Sequence, residues 1–536
     1  MRASKQFTPI ELDPENWAIT KLHKEQKYFL EEVAQKSFES LRTRYTTEAD
    51  LYRLLEQTTS RELTRITSDP WKSDPKDDRL FWENMASSIQ TDIAPSSLLK
   101  NIIARYLDEI RSDFSVKHYQ LIAKSVQCIL VNLLKPKCFG FGGKGERWTR
   151  RTKRLHEKFH ITGAVDTLRA LAKQGTIVLV PTHTSNWDSI IIGLAMQQLG
   201  IPPLSWGTGL NLFNNKGFRY IFSKLGTYKV DRRKKTIPYL QTQKDYACLA
   251  LTWNCHTLFY PAGTRSRSGA IESDLKLGLL GTLFEAQAKN FEKYGTNAKK
   301  LFIVPIVLNY HCVLEAQQLI YESDLYEQTA TVIKDNCCNK LVLSKNFLFK
   351  GSEIFINIGV PLDVMGNIVD ENGNSYDNQS NKLDLYKQWR QLSEQTGIEK
   401  RNDYVNILSH KIVQSYYKNN MVLSSHLVAF VAYELAKTTE GFSMHLKKMA
   451  LNHTTFMTAL AVTYKKLRMH YGQEKIALTP LLMDGQLDAI VADGLLKLGI
   501  YHDTPPLTID KNGDVLIQDI WTLLYYHNRL TGYELE

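Results

Sequence analysis

Cysteine is scarce and carries no pattern: seven residues, at positions 128, 138, 248, 255, 312, 337 and 338, with no C-x-x-C pair. This excludes a disulfide framework, and an odd, scattered count in a long chain predicts a reduced, intracellular protein. No run of 18 apolar residues occurs, so no membrane-spanning helix is expected. The opening MRASKQFTPIELDPENW lacks the apolar centre of a secretory signal, which predicts a cytoplasmic protein. Nor does a serine or cysteine sit in a G-x-S-x-G turn, the feature that a covalent route on an α/β hydrolase would need.

Basic residues, by contrast, are in excess. Across 536 residues, 67 Lys and Arg against 56 Asp and Glu give a net charge of +11 and a pI near 9.0. That balance predicts attraction to an anionic surface or carrier, such as acidic lipid headgroups, acyl-CoA, acyl carrier protein or nucleic acid. The excess is densest over Lys135–Lys158, with nine Lys or Arg against two Glu and a Gly-rich start. The segment reads as a basic linker that either touches a membrane surface or is solvated and idle. Nucleic acid is not an expected partner, because no zinc-finger or RNA-recognition signature accompanies the run.

The length predicts several domains. Helical spacing in KLHKEQKYFLEEVAQKSFESL and PSSLLKNIIARYLDEI, broken by SDPWKSDPKDD, marks a helical amino-terminal domain over residues 1–134. The basic linker follows over 135–159. From 160 to 395, apolar runs of strand length alternate with helical patterns, which predicts an α/β domain with a central mixed sheet flanked by helices. Within it, residues 363–383 are rich in Asn, Asp and Gly and read as a loop or small hairpin close to the active site. Residues 396–536 read as a mostly helical carboxy-terminal domain with a hairpin at PLTIDKNGDVLIQD. Its His426 and His453 are read as core or surface histidines, no metal dependence is expected, and no internal repeat is apparent.

The chemistry gathers at the ends of four apolar runs. TIVLV leads into PTHTSNWDSI, which places His183 five positions before Asp188, so that a carboxylate can orient and charge-stabilise an imidazole base. LGTYKVDRRKK opens at Gly226 and ends in Arg232 and Arg233; alone, Arg232–Lys235 reads as a solvated basic turn. TLFYPAGTRSRSG carries Arg265, Ser266 and Arg267 between Gly263 and Gly269, glycines allowing close backbone approach and arginines a planar fork for phosphate. LFIVPIVLNY holds Pro305 inside a strongly apolar strand. After the first block, Ser189–Asn215 has no charged side chain over 27 residues and reads either as buried core or as an apolar lip for a membrane.

In this order the blocks HTSNWD, GTYKVDR, AGTRSRSG and IVPIVLNY resemble those of the glycerol-phosphate acyltransferase superfamily, with its HxxxxD motif, and in particular its glycerol-3-phosphate acyltransferase branch. HITGAVDTLRALAKQGTIVLVPTH, PLDVMGNIVDENGNSYD, NNMVLSSHLVAFVAYELA and LLYYHNRL are similar to other segments of that branch, so the resemblance covers roughly residues 100 to 536. It implies transfer of a fatty acyl group from acyl-CoA or acyl carrier protein to the sn-1 hydroxyl of glycerol 3-phosphate, giving lysophosphatidate for phospholipid synthesis. It implies His183 as general base, Asp188 as its partner, and Arg232, Gly263, Thr264, Arg265 and Ser266 around the substrate phosphate. The Pro305 strand would help to shape an acyl channel. No cofactor beyond the acyl donor is implied, and a cytoplasmic enzyme peripherally attached to an anionic membrane surface is expected.

One departure stands out. The third block of the family usually begins with glutamate, and Ala262 occupies that position here. An alanine methyl neither accepts a hydrogen bond nor balances the arginines, which leaves open weaker turnover, an altered acceptor such as lysophosphatidate acylated at sn-2, or a lipid-binding relative without turnover. The base and the phosphate arginines are complete without the glutamate, which favours a working O-acyltransferase.

Overall fold

Short runs rich in Val and Ile alternate with amphipathic stretches across the middle of the chain, and this pattern builds a sheet covered by helices. The computed structural model describes residues 7–91, 93–134, 158–323, 352–395, 398–444 and 448–536. Most of the basic 135–159 segment, with Cys138, Cys337 and Cys338, lies outside the described residues. Seven strands form one mixed sheet: β1 (Phe159–Gly163), β2 (Thr176–Pro181), β3 (Ser205–Gly209), β4 (Thr227–Val230), β5 (Thr257–Leu258), β6 (Leu301–Tyr310) and β7 (Ile354–Ile358), in the order β1-β7-β6-β2-β5-β3-β4. β2 and β6 are buried at every position and pair in parallel from Thr176↔Leu301 to Pro181↔Ile306. β7 runs antiparallel to β6, which makes the sheet mixed.

Helices Asp188–Gln198, Lys216–Lys224, Ile237–Thr252 and Leu277–Tyr294 connect successive strands from β2 to β6. Parallel strands need such crossovers, and they leave the carboxyl ends of β2, β5, β3 and β4 facing one edge. The charge-free 189–215 stretch supplies buried Ile191, Ile192, Leu194, Ala195, Met196, Leu204 and Trp206 to the core beneath this edge. The buried-core alternative therefore describes that part of it.

The amino-terminal helices build a second core around Phe29, Leu51, Trp82, Ile102 and Tyr106, which also takes in Tyr228 of β4 and Tyr239, Tyr246 and Leu249 of the Ile237–Thr252 helix. Proline at the first turn of Pro95–Ile110 and Thr47 capping Glu48–Ser68 set two of the helix starts. Residues beyond 420 share the larger core with the sheet: Leu427, Phe430, Tyr525 and Leu530 are packed with β6. The expected hairpin forms as β8 (Leu507–Ile509) against β9 (Val515–Ile517), and Ser424–Thr438 and His453–Gly472 are helices. His426 is buried, accepting from the Leu423 amide at Nδ1 and donating from Nε2 to the Tyr310 carbonyl, and burial pushes its pKa down to about 3. His453 heads a surface helix.

Two expectations are corrected over 363–383. Asp363, Asp370 and Asp377 each take backbone amides two and four residues on at Oδ1, and the side-chain amide of an Asn four residues on at Oδ2. The same turn recurs every seven residues, a short internal repeat carried by spaced Asp and Asn side chains and not by hydrophobic pattern. Its position is also not the expected one. Lys300, just before β6, donates to the Gly373 carbonyl, and Gln174, just before β2, donates to that of Glu371. The segment thus packs at the amino ends of these strands, across the sheet from His183.

Candidate active site

His183 follows β2 by two residues, and Asp188 is the first residue of the helix that leads away. Five positions suffice for the loop to turn back on itself, bringing the imidazole Nδ1 to 3.0 Å from Asp188 Oδ2. The same oxygen accepts the amides of Thr184 at 2.7 Å and Ser185 at 2.8 Å, while Oδ1 accepts the Tyr310 hydroxyl at 2.6 Å. A wholly buried carboxylate is tolerated only with such a set of donors, and the helix amino terminus adds a favourable field. His183 retains 15% side-chain exposure whereas Asp188 has none, so solvent and substrate reach the base but not its partner. With Nδ1–H directed at Asp188, Nε2 is left as the proton acceptor.

The Tyr260 ring stacks on the imidazole, centroid to centroid 3.7 Å and tilted by 16°, and its hydroxyl lies 2.7 Å from Ser189 Oγ. Burial, then the Asp188 charge, pushes this phenol well above its ordinary pKa, so it stays protonated. Glu272 Oε1 accepts the His183 backbone amide at 2.6 Å, and its buried Oε2 has no hydrogen-bond partner among the described residues. Glu315 holds the other side of the loop, accepting Ser185 Oγ at 3.0 Å and the Asn186 amide at 3.1 Å.

The block after β5 docks directly on this loop: the Ser266 amide donates to the His183 carbonyl at 2.8 Å. Arg265 is thereby placed beside the base, 3.9 Å from Glu315. Arg232 reaches across from the end of β4 and donates to the Gly263 carbonyl at 3.0 Å. Although its side chain reaches solvent, partial desolvation and then the neighbouring Arg265 charge lower the Arg232 pKa. A methyl added at Gly263, where φ is +80°, would meet the Lys276 side chain at 3.0 Å, so a third cation lies over the turn. Two guanidiniums and an ammonium around the turn bonded to the His183 loop give this edge a positive charge of the kind that suits a phosphate.

Residues 163–309 match the Acyltransferase family model. The match takes in the first three blocks and the fourth as far as Asn309. No curated protein matches the chain. Among solved structures, the crystal structure of the 1-acyl-sn-glycerophosphate (LPA) acyltransferase PlsC from Thermotoga maritima is similar at 13% identity, over 64% of this chain and 94% of that one, with a TM-score of 0.24.

Within the matched region the other singled-out residues take varied positions. Ser266 turns its hydroxyl to the Ala270 carbonyl at 2.8 Å, closing its own loop, and Thr264 is exposed. Pro305 is paired with Val180 inside the sheet, below the level of His183. The strand tolerates it because β6 meets β7 only from Ile306 onward. Arg267 points away and donates to the Glu322 carbonyl. Arg233 and Lys234 do not form a solvated turn: both are largely buried in ion pairs with the amino-terminal region, while Arg232 and Lys235 are exposed. Sequence reasoning missed Tyr260, Glu272, Lys276, Tyr310 and Glu315. Tyr260 and Lys276 flank the third block and were open to notice; Glu315 and Tyr310 lie more than 120 residues from the loop they hold.

Proposed function

We propose that the chain transfers a fatty acyl group from a thioester donor, acyl-CoA or acyl carrier protein, to the sn-1 hydroxyl of glycerol 3-phosphate. The observation that carries this reading is the Asp188-held His183, whose loop is bonded to the one that bears Arg265, with Arg232 donating to the Gly263 carbonyl of that same turn, in a region that matches the acyltransferase model. The arginines, with Lys276, bind the acceptor phosphate. His183 Nε2 takes the proton of the attacking hydroxyl as its oxygen forms the new ester bond to the thioester carbonyl. The thiolate leaves and recovers a proton from the imidazolium, whose charge Asp188 has stabilised. No acyl-enzyme is required.

Glycerol 3-phosphate is favoured over a larger acceptor by the resemblance outside the four blocks. Among the described residues no helix is long and apolar enough to cross a membrane, and attachment through the basic surface is the proposed mode of association. The experiment is acyl transfer from palmitoyl-CoA, repeated with palmitoyl carrier protein, by vesicle-reconstituted protein offered glycerol 3-phosphate and lysophosphatidate in parallel. Lysophosphatidate formed from glycerol 3-phosphate and lost in His183→Ala supports the reading. Product from lysophosphatidate alone moves the assignment to sn-2, and no product with either donor, with binding unaffected by His183→Ala, makes this a lipid-binding relative.

A further inference from the structure

Arg232 and Arg265 repel one another, so something must hold them together before the acceptor arrives. Arg265 rides on the loop bonded to His183. Among the described residues the Arg232 side chain makes one hydrogen bond, to the Gly263 carbonyl, and its orientation otherwise depends on the Asp231–Lys234 segment that carries it. That segment is gripped from the amino-terminal helical region. The Arg233 guanidinium forms a two-pronged pair with Asp74, donates to the Asp69 carbonyl at 2.6 Å and lies 3.9 Å over the Trp71 ring. Lys234, wholly buried, pairs with Glu109 at 2.5 Å and Glu62 at 3.5 Å. Arg65 ties the acids together, touching Glu62 at 2.8 Å, Asp78 at 2.5 Å and Asp74 at 3.3 Å. On the inner side the Asp231 amide accepts no slack either, donating to the Tyr239 hydroxyl at 2.7 Å.

We propose that Asp74 is a positioning residue for the acceptor site: by gripping Arg233, the amino-terminal helices present Arg232 to the substrate phosphate opposite Arg265. The inference rests on the reading of these arginines as the phosphate site. Buried ion pairs between separate parts of a fold contribute little net stability but fix geometry, and a cation displaced by about 1 Å loses much of its hold on a phosphate. Two arginines in sequence thus have divided roles, one facing the ligand and one anchoring it.

The test compares Asp74→Asn, Arg233→Lys and Arg265→Ala in the full chain, reading glycerol 3-phosphate binding by calorimetry without donor, and acceptor KM and kcat with palmitoyl-CoA. Ile102→Val, in the same amino-terminal core, controls for lost stability. Asp74→Asn is expected to weaken binding and raise KM about 10-fold with kcat within about 2-fold. Arg233→Lys keeps the charge but not the two-pronged pair, and is expected to do so by a smaller factor. Ile102→Val should lower the melting temperature and leave KM unchanged. If Arg265→Ala weakens acceptor binding and Asp74→Asn does not, or if Asp74→Asn lowers only kcat and melting temperature, the positioning role is overturned. If neither variant alters acceptor binding, the phosphate reading itself fails, and this inference with it.

Discussion

The backbone amide of His183 is bonded to the carboxylate of Glu272 at 2.6 Å, and the second oxygen of that carboxylate is buried with no hydrogen-bond partner among the described residues. Burial, reinforced by the Asp188 charge and opposed by the His183 amide and Arg529, pushes the Glu272 pKa up to about 7 from an ordinary 4.5. A carboxyl whose pKa rises on folding favours the native state fully below its unfolded pKa, and that contribution is lost as pH climbs through the folded pKa. Between pH 4.5 and 8 the native protein should therefore lose on the order of 3 kcal/mol relative to Glu272→Gln, which keeps an acceptor for the His183 amide but cannot ionise. Denaturant unfolding of both proteins at pH 5 and pH 8 measures this. A stability difference that does not change with pH would show that Glu272 does not titrate in this range.

His183→Ala removes the only imidazole bonded to Asp188 among the described residues. General-base catalysis supplies roughly 10²- to 10⁴-fold, so turnover should fall by that factor, about 3 to 5 kcal/mol on the barrier. The ring is partly exposed, and the fold should survive, with an unchanged far-ultraviolet dichroism spectrum. Near-normal turnover would remove His183 from the mechanism.

The pairing of His183 with Asp188 and the placing of Arg232 and Arg265 at the same sheet edge were legible because each sits beyond the end of an apolar run, and a strand end delivers its next few residues to the ligand edge of an α/β sheet. What holds them was not legible. Tyr310 reaches Asp188 from the far end of β6, and Asp74 reaches Arg233 across 159 residues, distances over which local pattern carries no signal. For the same reason Arg233 and Lys234 resemble a solvated charge run, since Asp74, Glu62 and Glu109, which pair with them, lie in the distant amino-terminal region. The general α/β architecture followed from alternating period-2 and period-3.6 segments. The reversed direction of β7 and the location of the 363–383 turns at the opposite sheet end depend on pairing partners that hydrophobic pattern alone does not specify.

Gly269, at φ +83°, faces the Tyr525 carbonyl so closely that an added methyl would lie 2.0 Å from its oxygen. Beside it Asn528 donates to the Ser268 carbonyl at 2.9 Å, so the Ile520–His527 helix and the turn after it back the Arg265 loop. Gly269→Ala must either push this helix away or twist the loop out of its left-handed turn, and the positive φ alone costs about 1 kcal/mol. We expect a melting temperature several degrees lower and a raised acceptor KM, because Arg265 is four residues away. An unchanged KM would mean that the helix yields and the loop does not.

Tyr310→Phe separates the burial of Asp188 from its bonding. The phenol is held well above its ordinary pKa by burial and then by the Asp188 charge, so it remains a donor throughout the working range. Phenylalanine preserves the ring's packing and leaves Oδ1 of a buried carboxylate without the Tyr310 donor, a loss of about 1 to 3 kcal/mol. Part of that cost should fall on folding and part on catalysis, since an anion less well bound by its own donors is held less firmly in the geometry that aligns His183. A fall in unfolding free energy with a several-fold lower kcat and unchanged acceptor KM is the expected pattern, because the phosphate arginines are untouched. A raised KM with normal kcat would place Tyr310 in acceptor binding instead and sever it from the His183–Asp188 pair.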